Sequence, residues 1–227
     1  MNRPAAVYFI AQIRRILSSM TTTTNQTTQA LLDAIRARRS FALNQLSPEP
    51  IDLAAIPLML EAARWAPNHG LTEPWRFTVF AGDRRHALSD AFGAAYREMT
   101  PAARYDAAAE QGQRKRVWQA PVWISLGMVP ALNDQGVSRM PEWEDMISVG
   151  VAAHNAHLVA ASLGLGAKWT SGAVVTHPLV AQLLGLAPPA RLLGFLYVGR
   201  PAIAWPQGAR RPLAELVRWE TDARPEE

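Results

Sequence analysis

Pro121-Val122-Trp123-Ile124-Ser125-Leu126-Gly127-Met128-Val129 is an almost unbroken apolar run in a chain of 227 residues. A strand with one wet face alternates apolar and polar residues, whereas a strand covered on both faces need not. The run therefore reads as a central strand buried on both sides. Working outward, Arg76–Ala81 (Arg-Phe-Thr-Val-Phe-Ala) alternates around Phe77 and Val79 and reads as a second strand. Leu165-Gly166-Ala167-Lys168-Trp169-Thr170 enters a third, and Leu192–Val198 is the last clear one. Helical segments lie between them without strict strand–helix–strand alternation and without an internal repeat, so the class is α+β.

The helices are marked by periodicity and by their ends. Gln29–Arg38 is a short amphipathic helix with Leu31, Leu32 and Ile35 on its apolar face and Thr27 or Thr28 as its cap. Asp52 is placed to cap the next helix, which runs through Trp65; Pro57 is expected to cost it a backbone bond or a slight kink. Ala66-Pro67 ends that helix, because the residue before proline avoids helical geometry. Asp83 opens a helix toward Glu98. Residues 100–119, rich in Ala, Gln and Arg, read as one or two helical pieces, the least anchored part of the domain and a candidate flap over a site. Lys115 and its arginine neighbours read as a solvated face. Glu144–Leu163 carries apolar residues around most of its circumference, so it is expected to be buried on nearly all sides, partly by a second subunit. Gly164 terminates it, and Pro178–Leu184 is a short helix ended by Gly185.

Composition removes several function classes. Hydrophobic residues make up 49% of the chain, enough for one well-buried domain. The absence of cysteine excludes disulfides, Cys-ligated metals and thiol catalysis. His154 and His157 stand three apart but read as polar residues on a partly exposed helix face, so no metal is expected. The 23 basic and 19 acidic residues give a net charge of +4, scattered in short groups rather than gathered in a stripe, which argues against nucleic acid. No apolar run reaches the roughly 20 residues that span a bilayer, so a cytoplasmic location without membrane partners is expected. Residues 1–27 read as an N-terminal extension with Met20 as an alternative start, residues 28–205 as the domain, and 206–227 as a polar tail. No Ser sits in a Gly-x-Ser-x-Gly elbow, so the chemistry points to a bound cofactor positioned by the protein.

Arg38-Arg39-Ser40 offers guanidinium forks and a hydroxyl suited to a phosphate, although basic residues in a last helical turn need no ligand. His69 sits in the turn Pro67-Asn68-His69-Gly70, either as a solvated residue or at the mouth of a site. Trp169-Thr170-Ser171-Gly172 is a polar strand end whose amides and hydroxyls suit the edge of a polar ring. Gly164-Leu165-Gly166 follows a helix and is not a dinucleotide fingerprint.

Taken in order, these elements resemble the nitroreductase family of FMN-dependent oxidoreductases, in particular its smallest bacterial members. The resemblance runs from Leu31 to Pro201 through Arg38-Arg39-Ser40, residues 61–77 (EAARWAPNHGLTEPWRF), 119–126 (QAPVWISL), 141–144 (PEWE), 164–172 (GLGAKWTSG) and 194–201 (GFLYVGRP). It implies a three-layer fold with a central, mostly antiparallel sheet flanked by helices, and a homodimer with FMN at the subunit interface. By position, Arg38, Arg39 and Ser40 would hold the FMN phosphate and ribityl chain. Trp65 and His69 would reach the flavin of the other subunit, and Trp169, Thr170 and Ser171 would line its ring. Arg200 would help neutralise the phosphate. Val159, Ala160, Ala161, Ser162, Leu163 and Gly164 carry over more loosely, as a nicotinamide contact. NADH or NADPH would reduce the flavin, which would then reduce a nitroaromatic, quinone or similar acceptor in a ping-pong cycle that needs no acid or base side chain.

Two positions depart from the family pattern. Many members carry Asn and Gln where this chain has Leu71 and Glu73. A carboxylate near the ring opposes an anionic reduced flavin, so weaker FMN binding is expected. Competing readings are a flavin-binding sensor or reservoir without turnover, and a basic nucleic-acid-associated protein.

Overall fold

The computed structural model describes residues 25–220. The expectations for residues 1–19 and Met20 lie outside them. Residues 25–37 are helical throughout (α1), so Thr27 and Thr28 sit inside the helix rather than capping it. There follow α2 (Ala55–Arg64), β1 (Trp75–Arg76), β2 (Val79–Ala81), α3 (Arg85–Met99), α4 (Ala107–Arg116), β3 (Val122–Met128), α5 (Glu142–Ser162), β4 (Gly166–Thr170), α6 (Pro178–Leu183) and β5 (Arg191–Gly199).

The sheet is antiparallel, with β3 paired to β5, β5 to β4, and both β1 and β2 on the outer side of β3. Every residue of β3 is buried. One face of the sheet packs Ile124, Leu126 and Leu196 against Ile56, Met59 and Ala63 of α2 and Val149, Ala152, Ala156 and Ala160 of α5. The other packs Trp123, Phe195 and Tyr197 against Leu88 and Phe92 of α3 and Val180 of α6. The three-layer α+β arrangement with an antiparallel sheet is thus present.

The single strand expected over 76–81 is divided. β1 and β2 keep one register on β3, with Trp75 opposite Met128 and Val79 opposite Ile124. Between them the Thr78 amide donates to the Ser125 side-chain oxygen at 2.8 Å, so a hydroxyl replaces a ladder carbonyl. Pro57 costs no backbone bond either. It is the third residue of α2, within the first turn, where amides have no intrahelical acceptor.

Residues 100–119 are anchored. Glu110 of α4 is 2% exposed. Its carboxylate accepts from Arg97 at 2.6 and 3.0 Å, from the Tyr105 hydroxyl at 2.8 Å and from Arg114 at 3.1 and 3.2 Å. These partners, Arg97 first and Tyr105 next, hold its pKa down to about 2. Of the basic cluster only Lys115 is solvated; Arg116 lies over the Phe92 ring and reaches the Thr170 hydroxyl at 3.5 Å. A carboxylate on a helix reads as surface in a sequence, and its partners, two arginines and a tyrosine, come from three different positions.

Two outcomes follow for stability. Trp123 is fully buried, donates its indole N–H to the Val117 carbonyl at 2.9 Å and meets Phe92, Phe195 and Tyr197 ring to ring. Trp123→Ala should cost about 3–5 kcal/mol in a denaturant titration. Because the Glu110 pKa is depressed in the fold, its contribution is present above the ordinary carboxylate value and is lost as pH falls from about 4.5 toward about 2. Glu110→Gln should flatten the stability profile across that window.

Candidate functional site

The end of α1 is clamped to the sheet edge. Ser40 bridges Ala167 of β4, and the Phe41 amide donates to the Ala167 carbonyl at 3.2 Å. His157 of α5 is buried and donates through Nε2 to the Arg39 carbonyl at 2.9 Å. Burial is the main cause that lowers its pKa to about 4, so the ring is neutral around pH 7. It is therefore an internal anchor rather than half of a polar helix face.

The two arginines do different work. Arg39 donates to the carbonyls of Arg36 (2.5 Å), Arg38 (2.7 Å) and Pro206 (3.0 Å), and a Cβ on Gly208 would collide with its guanidinium. Its fork is thus used to hold the segment after Trp205 against α1, and Trp205 itself donates to the Ala37 carbonyl at 2.7 Å. Among the described residues the Arg38 side chain makes only a long 3.4 Å hydrogen bond, to the Ser40 hydroxyl. Burial first, then the neighbouring cations Arg210 and Arg39, pull its pKa below the usual arginine value. Among the described residues no carboxylate pairs with Arg38, Arg39 or Arg210. With Arg36 and His154 these three arginines line a cavity of about 500 Å³. A partly desolvated cation cluster without a counter-charge is a place for an anion, and guanidinium forks suit phosphate.

Arg210 is the residue that sequence reasoning missed here. It belongs to the expected polar tail, which instead folds back through residues 205–210 onto the end of α1. The Arg210-Arg211 pair was legible only as one of several basic doublets. Arg200, expected at the phosphate, lines a separate cavity of about 480 Å³ with Asp52, Leu163 and Gly164. There it meets the C-terminal end of α5, the stretch Val159–Gly164 expected to touch nicotinamide.

Trp169 forms a fixed shelf. Its indole N–H donates to the Leu193 carbonyl at 3.0 Å, and its ring lies beside Gly150 of α5. The strand β5 makes room by a bulge between the Ser125 and Gly127 pairings, where Gly194 adopts φ 130°. A Cβ there would strike the Thr170 carbonyl and the Trp169 indole nitrogen, so only glycine fits. Thr170 is half-buried and Ser171 exposed. Leu193 also lines an apolar cavity of about 800 Å³ with Met146, Thr176, Leu179 and Leu186. That size and lining suit a small organic molecule.

Trp65 and His69 line neither of these cavities. Trp65 is 74% exposed and its N–H donates to Glu61 at 2.9 Å. His69 begins a turn in which Gly70, Leu71 and Glu73 all adopt left-handed φ, at 62°, 53° and 42°. Asn68 stabilises the turn by accepting from the Glu73 amide at 3.0 Å. Two carboxylates from the first turn of α5 hold it. Glu144 Oε2 lies 2.5 Å from His69 Nδ1, and Asp145 Oδ1 accepts from the Thr72 hydroxyl at 2.9 Å. Asp145 is buried, and among the described residues its Oδ2 has no hydrogen-bond partner.

Comparison with known proteins places this architecture. The model of the nitroreductase family matches residues 35–200. YfhC of Bacillus subtilis, a relative named provisionally as an NAD(P)H nitroreductase, is 30% identical over 190 residues, covering 82% of this chain and 91% of its own. The 5,6-dimethylbenzimidazole synthase of Rhodospirillum rubrum is 32% identical over 186 residues, 76% of this chain and 82% of its own. Among solved structures, a provisionally assigned nitroreductase of Desulfovibrio desulfuricans in complex with FMN superposes with a TM-score of 0.60 at 29% identity, covering 85% of this chain and 97% of the other. On the extent of the family match and of these relatives, the chain belongs to the nitroreductase family.

Proposed function

We propose that the chain is a homodimeric, FMN-dependent oxidoreductase that takes electrons from NADH or NADPH and passes them to nitroaromatic, quinone or similar electron-poor acceptors. The observation that carries this reading is the cation cluster of Arg38 and Arg210, which is partly buried, has no carboxylate paired with it among the described residues and lies beside the Ser40 hydroxyl. The group in a family relative that fits such a corner is the FMN of the Desulfovibrio desulfuricans protein.

In this reading Arg38, Ser40 and Arg210 hold the phosphate, while Arg39 braces the backbone that carries them. The Trp169 shelf with Thr170 and Ser171 lines the ring. Bound FMN supplies hydride transfer at its N5. Arg200 lines a separate cavity, and Arg210 is the second cation beside Arg38. The apolar cavity beside Leu193 is the place for a flat acceptor. NAD(P)H as donor is supported by the names of relatives such as YfhC. One relative is a synthase, so family membership alone does not fix the acceptor.

The dimer is supported by apolar side chains that a single chain leaves in water. Leu31, Leu32 and Ile35 of α1, Leu58 of α2, and Trp143 and Ile147 of α5 are all exposed. So much exposed apolar surface on three helices marks an interaction face. A second copy there would also bring Trp65 and His69 to the partner's flavin.

Flavin titration of the purified protein is the direct test. Each charge-assisted hydrogen bond is worth about 1.5–3 kcal/mol, so Arg38→Ala and Arg210→Ala should each raise the FMN dissociation constant about 10- to 100-fold. Unchanged binding in both would remove the phosphate assignment, and a protein that takes up no FMN would remove the function. Light scattering should report a dimer, and Ile147→Glu should yield a monomer with less bound flavin.

A further inference from the structure

The cationic corner holds one titratable side chain that the phosphate assignment leaves idle. His154 of α5 lines the same cavity of about 500 Å³ as Arg36, Arg38, Arg39 and Arg210. It stands about one helical turn before His157, but the two imidazoles are disposed differently. His157 is buried and uses Nε2 on the Arg39 carbonyl, whereas His154 is exposed and, among the described residues, has no hydrogen-bond partner. Burial first, and then the Arg38 guanidinium, lower its pKa from the ordinary imidazole value, so the ring is neutral around pH 7. Arg36, Arg38 and Arg39 face it from the end of α1 and Arg210 from the returning tail, with no carboxylate among the described residues that line the cavity. The carboxylate of Asp33 on α1 engages Arg36 at 3.9 Å. On α2, which packs against α5, Glu61 and Arg64 pair with each other at 2.6 Å. Lys168 of β4 lies opposite Tyr197, on the sheet face away from α5.

We propose that His154 is a further ligand of the anion in this cavity and takes up a proton from solvent as a tetrahedral dianion enters, so that binding tightens as pH falls through the imidazole range; this rests on the reading above that the corner takes a phosphate. Without an anion, a protonated His154 would add one more cation beside Arg38, Arg39 and Arg210, and the ring stays neutral. A dianion reverses the sign of the field at the ring. An opposite charge within about 4–6 Å favours the charged form of a group by about 1–3 pK units. The proton goes to the ring nitrogen that lacked one. The imidazolium then has a donor on each nitrogen, where the neutral ring has one donor and one acceptor. The sign follows from linkage. Because the ring holds its proton more tightly with the anion than without it, affinity rises as pH falls through the bound-state midpoint and levels off below the free-state one. Arginine does not titrate in that range, and His157, held at about 4, stays neutral through most of it. Of the described residues that line the cavity, His154 alone changes charge near neutrality.

Sulfate is the first probe, because it stays a dianion across the range in which an imidazole titrates. At constant ionic strength, the ring proton resonances of His154 in the purified protein should give a titration midpoint that rises by about one pH unit or more when sulfate is added. The sulfate dissociation constant should fall about tenfold or more from about pH 8 to about pH 5.5. His154→Gln should abolish that dependence, and Arg38→Ala should weaken sulfate binding across the whole range. FMN should raise the midpoint as sulfate does, and riboflavin, which lacks the phosphate, should leave it unmoved. A midpoint that neither sulfate nor bound FMN moves, or a pH dependence that survives in His154→Gln, overturns the proposal. If FMN binding still depends on Arg38 in that case, the phosphate assignment stands without His154. A shift with riboflavin would place the flavin ring rather than the phosphate beside His154 and overturn the proposal equally. A shift with sulfate but not with FMN would keep His154 as a ligand for a free inorganic dianion and remove the flavin phosphate from this corner.

Discussion

The burial of β3 on both faces requires a layer of helices on each side of the sheet, and much of the molecule follows from meeting that requirement with α2 and α5 on one side. The face of α5 against the sheet is built largely from Ala152, Ala153, Ala156 and Ala160. Small side chains let the helix lie close over Ile124 and Leu196, and they leave the larger ones, Trp143 and Ile147, on its opposite face. A helix that is apolar on both faces cannot be satisfied by one sheet. The same packing that covers β3 thus creates the surface on which a second copy is proposed to sit.

The cationic corner depends on that helix as well. His157 lies on α5 between its core face and its outer face, and its hydrogen bond to the Arg39 carbonyl fixes the chain where α1 meets β4. Arg39 then turns its guanidinium onto three carbonyls, which leaves Arg38 as the arginine without a protein acceptor of its own charge. Two adjacent residues of identical type are thus separated in role by backbone geometry alone. A cation that braces backbone is satisfied inside the fold, whereas one crowded by Arg210 is stabilised by an anion from outside.

What the sequence made legible was set by local rules. The apolar run of β3, the stop at Ala66-Pro67 and the turns at Gly164 and Gly185 each depend on a few neighbouring residues. What it hid was long-range and polar. Nothing within residues 100–119 reveals that Glu110 is a buried acceptor for Arg97, Tyr105 and Arg114, because ion pairing has no period along the chain. The division of β1 from β2 depends on a Ser125 hydroxyl from another strand. Arg210 reaches Arg38 across more than 170 positions, and residues 202–210 that carry it, without helix or strand, give no pattern from which their path could be read. The resemblance to the nitroreductases pointed to Arg38, Ser40 and Trp169, which the proposal keeps, and to Arg200, which lines a cavity separate from that of Arg38.

The turn before β1 shows how a departure from a family pattern is understood only with its backbone. Leu71 and Glu73 stand where many relatives carry Asn and Gln, and a reading from side-chain chemistry sees a lost amide and an added carboxylate. The structure adds that both positions are left-handed. Asn is among the few residues that accept that geometry readily, and for others it costs about 1–2 kcal/mol. Leu71 is 85% exposed, so packing within its own chain returns almost nothing against that strain. The restraint comes from elsewhere in the turn, through Asn68, Arg139, Glu144 and Asp145. A leucine held at a strained position by its neighbours' polar contacts, close to His69 and facing away from the core, finds no apolar cover among the described residues. In the proposed dimer the partner subunit is what would cover it.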